Sequence, residues 1–414
     1  MLFTEISAQA LEDYQASHPH RHFFTQGADY QRLATSNQTT SKILAAVEGE
    51  EILAYAIFIY YPYKKFFYKV TTQFGPIMDY SNQDLVAFYF EHLKNYFKKN
   101  WRVLCLRVNP FLNERYFSDV DFIKANPQAE NVDQILQAKG YDKTDHDLFD
   151  DPTLATRCVF SKDLTGLTQD NLLKNVSQIA RYTINRTIKE GVQVRPLAID
   201  DASDCQILDA INQETSERIG FELRDAQYFK NLKNVLKDDL ILALAYIDCD
   251  YFVSQTHATI EKLKADRQEL EEKLAQGKVN RKKTNNKIKE LNENIGIWEN
   301  KIDKIQKLKA EEGNIVNLAC ASFIQSGEDF IYFSSGAFSK FTRFEGSSAI
   351  LYHMLLEAIR QDFKYFNFYG TSSDFSEEGP DYGVLQFKRS FNGNIEWFMA
   401  NYELRNALGK IVNW

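Results

Sequence analysis

The chain has 414 residues, 44% hydrophobic and 26% charged, which excludes a disordered polypeptide and exceeds what one ordinary core organises. Its 49 basic and 57 acidic residues leave a formal charge of −8, so a protein coated in positive charge for nucleic acid is excluded and any RNA contact needs a local patch. Aromatic residues make up 14%, with 31 Phe and 22 Tyr, a surplus that serves either packing or substrate clefts.

In chain order, residues 42–47 and 52–60 read as strands flanking the Glu48-Gly49-Glu50 turn, and 66–70 as a third strand leading to Gly75-Pro76. Ser81 and Asp84 form a Ser-x-x-Asp capping box at the start of a helix with the apolar stripe Leu85, Phe88, Tyr89, Leu93, Tyr96 and Phe97. Residues 103–108 follow as a strand. The second half repeats this order, with strands at 240–247, 316–324 and 330–333. A helix then opens at Gly346 with Ser347 as N-cap, and 366–369 returns as a strand. The repeat predicts duplicated α/β domains.

An insertion interrupts the second domain. Ile260, Leu263, Arg267, Leu270 and Leu274 step by three and four, and after Gly277 so do Thr284, Ile288, Leu291, Ile295, Trp298, Ile302 and Ile305. That spacing predicts an antiparallel coiled-coil arm over 254–312. Its tip carries Lys278, Arg281, Lys282, Lys283, Lys287 and Lys289 with no acid among them, either a solvated face or a contact for a phosphate backbone. Arg181, Arg186 and Lys189, on a helix ending at Gly191, face RNA or water.

The five cysteines are widely spaced without a Cys-x-x-Cys pair, so neither a disulfide framework nor a zinc site is expected. No metal is expected at His18-Pro19-His20-Arg21-His22 either, because proline breaks the spacing and no acid completes a site. The start lacks the pattern of a secretory signal, and the apolar run 52–61 ends at Pro62 and Lys64-Lys65, so a cytoplasmic location is expected.

Several blocks resemble the FemABX family of peptidoglycan branching aminoacyltransferases. They are Phe24-Thr25-Gln26-Gly27-Ala28-Asp29-Tyr30-Gln31-Arg32, Gly75-Pro76-Ile77, the segment from Glu214 to Phe221 with Arg224-Asp225-Ala226-Gln227-Tyr228-Phe229, and Gly383-Val384-Leu385-Gln386-Phe387-Lys388-Arg389-Ser390-Phe391. The resemblance implies an α/β fold of two N-acetyltransferase-like domains in tandem, with the coiled-coil arm inserted in the second. The expected boundaries are 1–150, completed by the tail 395–414, and 151–394. It implies transfer of Ala, Ser or Gly from aminoacyl-tRNA, a co-substrate, to a UDP-linked or lipid-linked muramyl-pentapeptide precursor, with no cofactor. By position it implies that Arg32 and Arg224 hold the diphosphate, that Tyr228 and Tyr332 line the cleft, and that Lys388 beside Phe387 lies at the tRNA acceptor end. Lys278, Arg281, Lys282 and Lys283 are then candidate tRNA contacts.

Lysine suits such a reaction because negative charge grows on the carbonyl and leaving oxygens, and a fixed donor there is worth about 3 kcal/mol. An arginine fork suits a diphosphate. Where the family often has Asp-Pro, this chain has Asn109-Pro110, and asparagine orients substrate but accepts no proton. The plain alternative for Lys388-Arg389 is solvent-facing alternation on an aromatic strand. Two other functions remain open: an acyl-CoA-dependent N-acyltransferase with a phosphate loop at Arg343-Phe344-Glu345-Gly346-Ser347-Ser348, and a non-catalytic tRNA- or ribosome-binding protein that uses the arm. A lipid-linked acceptor calls for peripheral contact with the inner membrane face, for which residues 60–68, aromatic and basic, are a candidate; a packed turn is the alternative.

Overall fold

The computed structural model describes every residue except 145, 147, 149, 150, 152, 221, 278, 413 and 414. Among the described residues, an eight-stranded sheet runs in the order Leu2–Ile6, Ser41–Glu48, Glu51–Tyr63, Phe67–Thr71, Val103–Val108, Asn401–Arg405, Asp142–Thr144, with Ile77–Met78 added to the third strand. A nine-stranded sheet runs Val192–Pro196, Leu240–Asp248, Ile315–Ser326, Asp329–Ala337, Tyr365–Thr371, Cys158–Asp163, Asn394–Phe398, Asn113–Ser118, Asp121–Ala125. Both sheets start with four antiparallel strands, and a crossover helix then delivers the next strand parallel to the fourth. The crossovers are Gln83–Lys98 and Gly346–Arg360. This is the duplicated α/β plan that the sequence repeat predicts.

The domain boundaries differ from the expected ones. The hairpin of Asn113–Ser118 and Asp121–Ala125 joins the second sheet through Asn394–Phe398, so a cut at 150 divides that sheet. The tail crosses back only afterwards, where Asn401–Arg405 slots between Val103–Val108 and Asp142–Thr144.

Helix Gln83–Lys98 buries Leu85, Val86, Tyr89, Phe90, Leu93 and Phe97, each large side chain contributing about 1.5–3 kcal/mol. Its cap is Asn82 rather than Ser81: Asn82 Oδ1 accepts from Leu85 N at 3.0 Å, and Ser81 donates to Asp79. Asparagine caps as well as serine, which explains the one-residue difference. At Gly346–Arg360 the N-cap position is held by Glu345 in the left-handed region (φ 57°) without a side-chain cap, correcting Ser347. Glycine is required at 346 because a Cβ there would meet the Leu318 Cβ at 2.9 Å.

The arm consists of helices Cys249–Ala275 and Arg281–Glu312, starting sooner than residue 254 because Asp248 caps the first directly off its strand. Ile260, Ile295 and Ile302 form its buried seam, with Leu263 and Trp298 against them. The first helix, 27 residues, is about 40 Å long. All five cysteines are buried, and none of them is in a disulfide. Among the described residues no helix is long and apolar enough to cross a membrane.

Candidate active site at the seam between the domains

Three of the motif residues near the first domain's turn are committed to backbone. Gln26 is fully buried; its Nε2 donates to Thr72 Oγ1 and Gln73 O, and its Oε1 accepts from Ile57 N. Gly75, before a cis Pro76, lies so close that a Cβ would meet the Gln26 carboxamide at 2.9 Å. Asn109 is also fully buried: Oδ1 accepts from Phe74 N at 3.2 Å, and Nδ2 donates to Met399 O at 2.7 Å. The substrate-positioning role expected of Asn109 is therefore corrected, because the amide holds the Gly-Pro turn to the returning tail. Asn109→Asp is expected to destabilise the fold by about 2–3 kcal/mol, since a carboxylate would face the Met399 carbonyl with nothing to donate. A denaturation midpoint equal to wild type would refute this role.

The seam itself is aromatic. Helix Ala28–Ser36 of the first domain packs on helix Ala226–Leu236 of the second. Tyr30 lies close enough there to Tyr61, Tyr369 and Tyr228 that their hydroxyls add to the rise in its pKa. Phe24, Phe333 and Tyr369 stack edge-on at 5.6–5.9 Å. Two of these rings sit at β-bulges. Ser322 pairs with Ser334 and Phe323 with Tyr332, leaving Phe333 as the extra residue. Val159 pairs with Gly370 and Ser161 with Asn367, and within that irregularity Tyr369 has φ 65°. Bulges re-aim side chains, and a positive φ in a bulky residue persists only where its surroundings enforce it. Burial raises the pKa of all four tyrosines, so they stay protonated donors and none serves as a base at neutral pH.

Tyr332 does not belong to this seam. The same bulge turns it to the opposite face, where it stacks on Phe323 in the core, and Phe333 takes the seam position. The correction has a simple cause: the family resemblance places Tyr332 by its position, and the extra residue in the strand gives that face to its neighbour.

Lys388 lies buried on helix Tyr382–Arg389, which removes the plain alternative of a solvent-facing position on a strand. It is 5% exposed, and its Nζ donates to Gly370 O at 2.6 Å and Tyr369 O at 3.4 Å. Two of its three donors are thus spent on the bulge backbone, and among the described residues the third has no partner. Burial lowers its pKa to about 8 against the pull of Asp381. Asp381 accepts from Thr371 Oγ1 and Ser372 N through Oδ2, while its buried Oδ1 lacks a partner. A low pKa alone does not single out Lys388: Lys162 is also lowered to about 8, with its ammonium on Asn175 O and Asn392 O. The distinction is that Lys388 abuts the strained seam residue. Phe387, beside it, packs edge-on against Phe391 and the second domain's core.

The two expected diphosphate arginines differ. Arg224 is exposed over the Tyr228 ring at 5.1 Å, its loop pinned where Asn212 donates to Arg224 O and Asp225 caps the following helix. Arg32 instead ion-pairs with Asp29 at 2.7 Å and with Glu12, in a pocket that Asp239 also lines. A diphosphate there would compete with two carboxylates for the guanidinium.

The histidine run is a strap. His18 stacks on Tyr14, His20 Nε2 meets the Tyr55 hydroxyl at 2.9 Å, and burial holds His22 near a pKa of about 4. Between them Arg21 reaches the second sheet, pairing with Asp329 at 2.7 Å and Glu396 at 2.5 Å above the Tyr365 ring.

At the arm's tip Arg281, Lys282 and Lys283 are exposed in the first turn of their helix; Lys278 lies outside the described residues. Cations oppose the dipole there at roughly 0.3–1 kcal/mol each, a cost that stability does not explain. At the arm's base Arg186, Lys301, Lys304 and Arg343 line one groove. Arg181 instead donates to Leu173 O.

Two sheets of one plan, closed on an aromatic seam and carrying an inserted helical arm, define a tandem two-domain α/β protein of the transferase type. The FemAB family matches residues 6–406, and the chain belongs to that family. It is 27% identical over 402 residues to the aminoacyltransferase FemA of Staphylococcus aureus strain bovine RF122 / ET3-1, covering 97% of this chain and 94% of that protein. FemA of S. aureus strain N315 is similar to the same extent. The fold is similar to that in a crystal structure of FemX, with TM-score 0.84, 18% identity and both chains covered in full.

Sequence reading missed Tyr61, Phe333 and Tyr369, which come from three separate strands. The one local signal was the dense aromatic content of those strands.

Proposed function

We propose that this enzyme transfers Ala, Ser or Gly from aminoacyl-tRNA to an amine of a muramyl-pentapeptide peptidoglycan precursor. Membership of the FemAB family and similarity to named aminoacyltransferases support the reaction class. The observation that carries the reading is Lys388, buried at the seam with one donor unspent. The amine attacks the ester carbonyl, a C–N bond forms and the bond to the ribose oxygen breaks. Lys388 stabilises the charge that develops on oxygen. With protonated tyrosines around it and Asn109 engaged elsewhere, the amine's proton passes to the departing ribose oxygen or to solvent. Arg224 is the anion contact on the acceptor side, over Tyr228.

Acyl-CoA is the weaker donor. Both crossover helices begin among acids: Asp79 and Asp84 at the first, Glu345 at the second, the last 3.7 Å from Arg186. A pyrophosphate favours a helix N-terminus without a competing carboxylate.

The test pairs seryl-, alanyl- and glycyl-tRNA with UDP-linked and lipid-linked acceptors. Product from one donor is expected; acylation by acetyl-CoA with none from tRNA would overturn the reading. Arg281→Glu, Lys282→Glu, Lys283→Glu together should weaken tRNA binding by about tenfold or more and flatten its salt dependence, leaving turnover at saturating tRNA intact. Unaltered tRNA affinity would remove the arm tip from the interface.

A further inference from the structure

We infer that the outer end of the first domain is a docking surface for an anionic lipid bilayer. The turn between strands Glu51–Tyr63 and Phe67–Thr71 lifts Phe66 to 62% exposure, and Trp101, from the loop after helix Gln83–Lys98, is 64% exposed. The two are fixed to one patch, since Arg102 Nε donates to Phe66 O at 2.7 Å and Phe67 meets Trp101 edge-on at 5.8 Å. The chain's last turn joins them: Asn406 Nδ2 donates to Trp101 O at 3.0 Å, and beyond it Leu408 and Ile411 are 46% and 79% exposed.

The rim is cationic. Lys64, Lys65, Lys98 and Lys99 are exposed, and residues 63–69, 98–103 and 406–412 contain no acid, in a chain of net charge −8. Apolar tips amid lysines match the boundary of an anionic bilayer, where rings and aliphatic chains enter and ammonium groups stay with the phosphates. RNA fits less well, because Leu408 and Ile411 offer no face for base stacking.

The surface does not depend on the transferase reading. Its use does: Tyr61 of the seam lies two residues before its strand ends at Tyr63 and five before Phe66 in the turn, at most roughly 16 Å along the chain, so docking would bring the seam to lipid-linked rather than soluble acceptor.

The test is flotation of the full chain with phosphatidylcholine vesicles, with and without about 30% phosphatidylglycerol. Binding is expected to the anionic vesicles alone and to weaken in about 0.5 M salt. Phe66→Ser with Trp101→Ser, and separately Lys64→Glu with Lys65→Glu, should each lower partitioning by about tenfold or more without changing the melting curve. No binding to anionic vesicles, or binding insensitive to both pairs, overturns the proposal. So does loss of tRNA binding in the lysine pair with vesicle binding retained, which would make the patch an RNA surface. Vesicle binding without any aminoacyl transfer would instead sink the transferase reading and leave the docking surface standing.

Discussion

Replacing Lys388 by Met is expected to lower kcat by roughly 100- to 1,000-fold while changing either KM far less. The argument rests on location: the ammonium is buried, braced on Tyr369 and Gly370 carbonyls, and has one N–H to offer. Its pKa of about 8 adds a pH signature. The protonated form is the useful one, so turnover should fall as pH rises through about 8. Stability should move the opposite way. The folded pKa lies below the 10.5 of the unfolded chain, so the native state releases its proton first, and stability rises between about pH 8 and 10.5. The burial cost, roughly 3 kcal/mol, is present in full below that window. Lys388→Met removes this pH-dependent component. Lys162→Met is the control, because Lys162 has the same lowered pKa and, like Lys388, backbone partners, but those partners are Asn175 and Asn392 rather than the seam residue Tyr369. It should alter stability and spare kcat. Equal loss of turnover in both variants would make Lys388 a packing residue.

Arg21→Met is expected to destabilise the protein by about 3–5 kcal/mol, because it strands two acids in the interior. Asp329 is 1% exposed, and Arg21 Nε and Nη2 donate to it at 2.7 and 2.8 Å while Nη1 and Nη2 serve Glu396 at 2.5 and 2.8 Å. Both carboxylates belong to the second sheet, whereas Arg21 follows the first domain's opening helix. The loss should therefore appear as easier separation of the domains as well as a lower denaturation midpoint. Adding Asp329→Asn and Glu396→Gln to Arg21→Met should recover most of it, since unpaired charge rather than lost packing dominates the cost. A single variant within about 0.5 kcal/mol of wild type would refute the strap.

Much of the fold was legible because its signals are local. Helix Gln83–Lys98 shows its buried stripe at helical spacing, and the Ile260, Ile295 and Ile302 seam follows from three-and-four steps. The strands Glu51–Tyr63 and Ile315–Ser326 are apolar runs. Where two neighbours are equally good caps, as at Ser81 and Asn82, pattern alone does not choose. The site was harder to read. Lys388 was found by position within a block of residues, but its eight-residue helix is too short for periodicity to separate from a strand. Tyr332 was misplaced because an extra residue in a strand changes which neighbour faces the seam, and bulges leave no mark in composition. Gln26, Gly75 and Asn109 stand out as motif residues, yet their work is to hold backbone, a distinction that only their partners reveal.

The returning tail sets the order in which this molecule is completed. Strand Asn401–Arg405 lies inside the first sheet, hydrogen-bonded on both edges, although some 290 residues separate it from Val103–Val108. On the ribosome, the amino-terminal half emerges with an open strand edge and must wait for nearly the whole remaining chain before its sheet closes. Closing a loop of that length is slow, and the open edge is a site for wrong pairings in the meantime. The two halves therefore form one folding unit despite their duplicated plan, and a nascent chain released before residue 401 would carry a first domain that never closes.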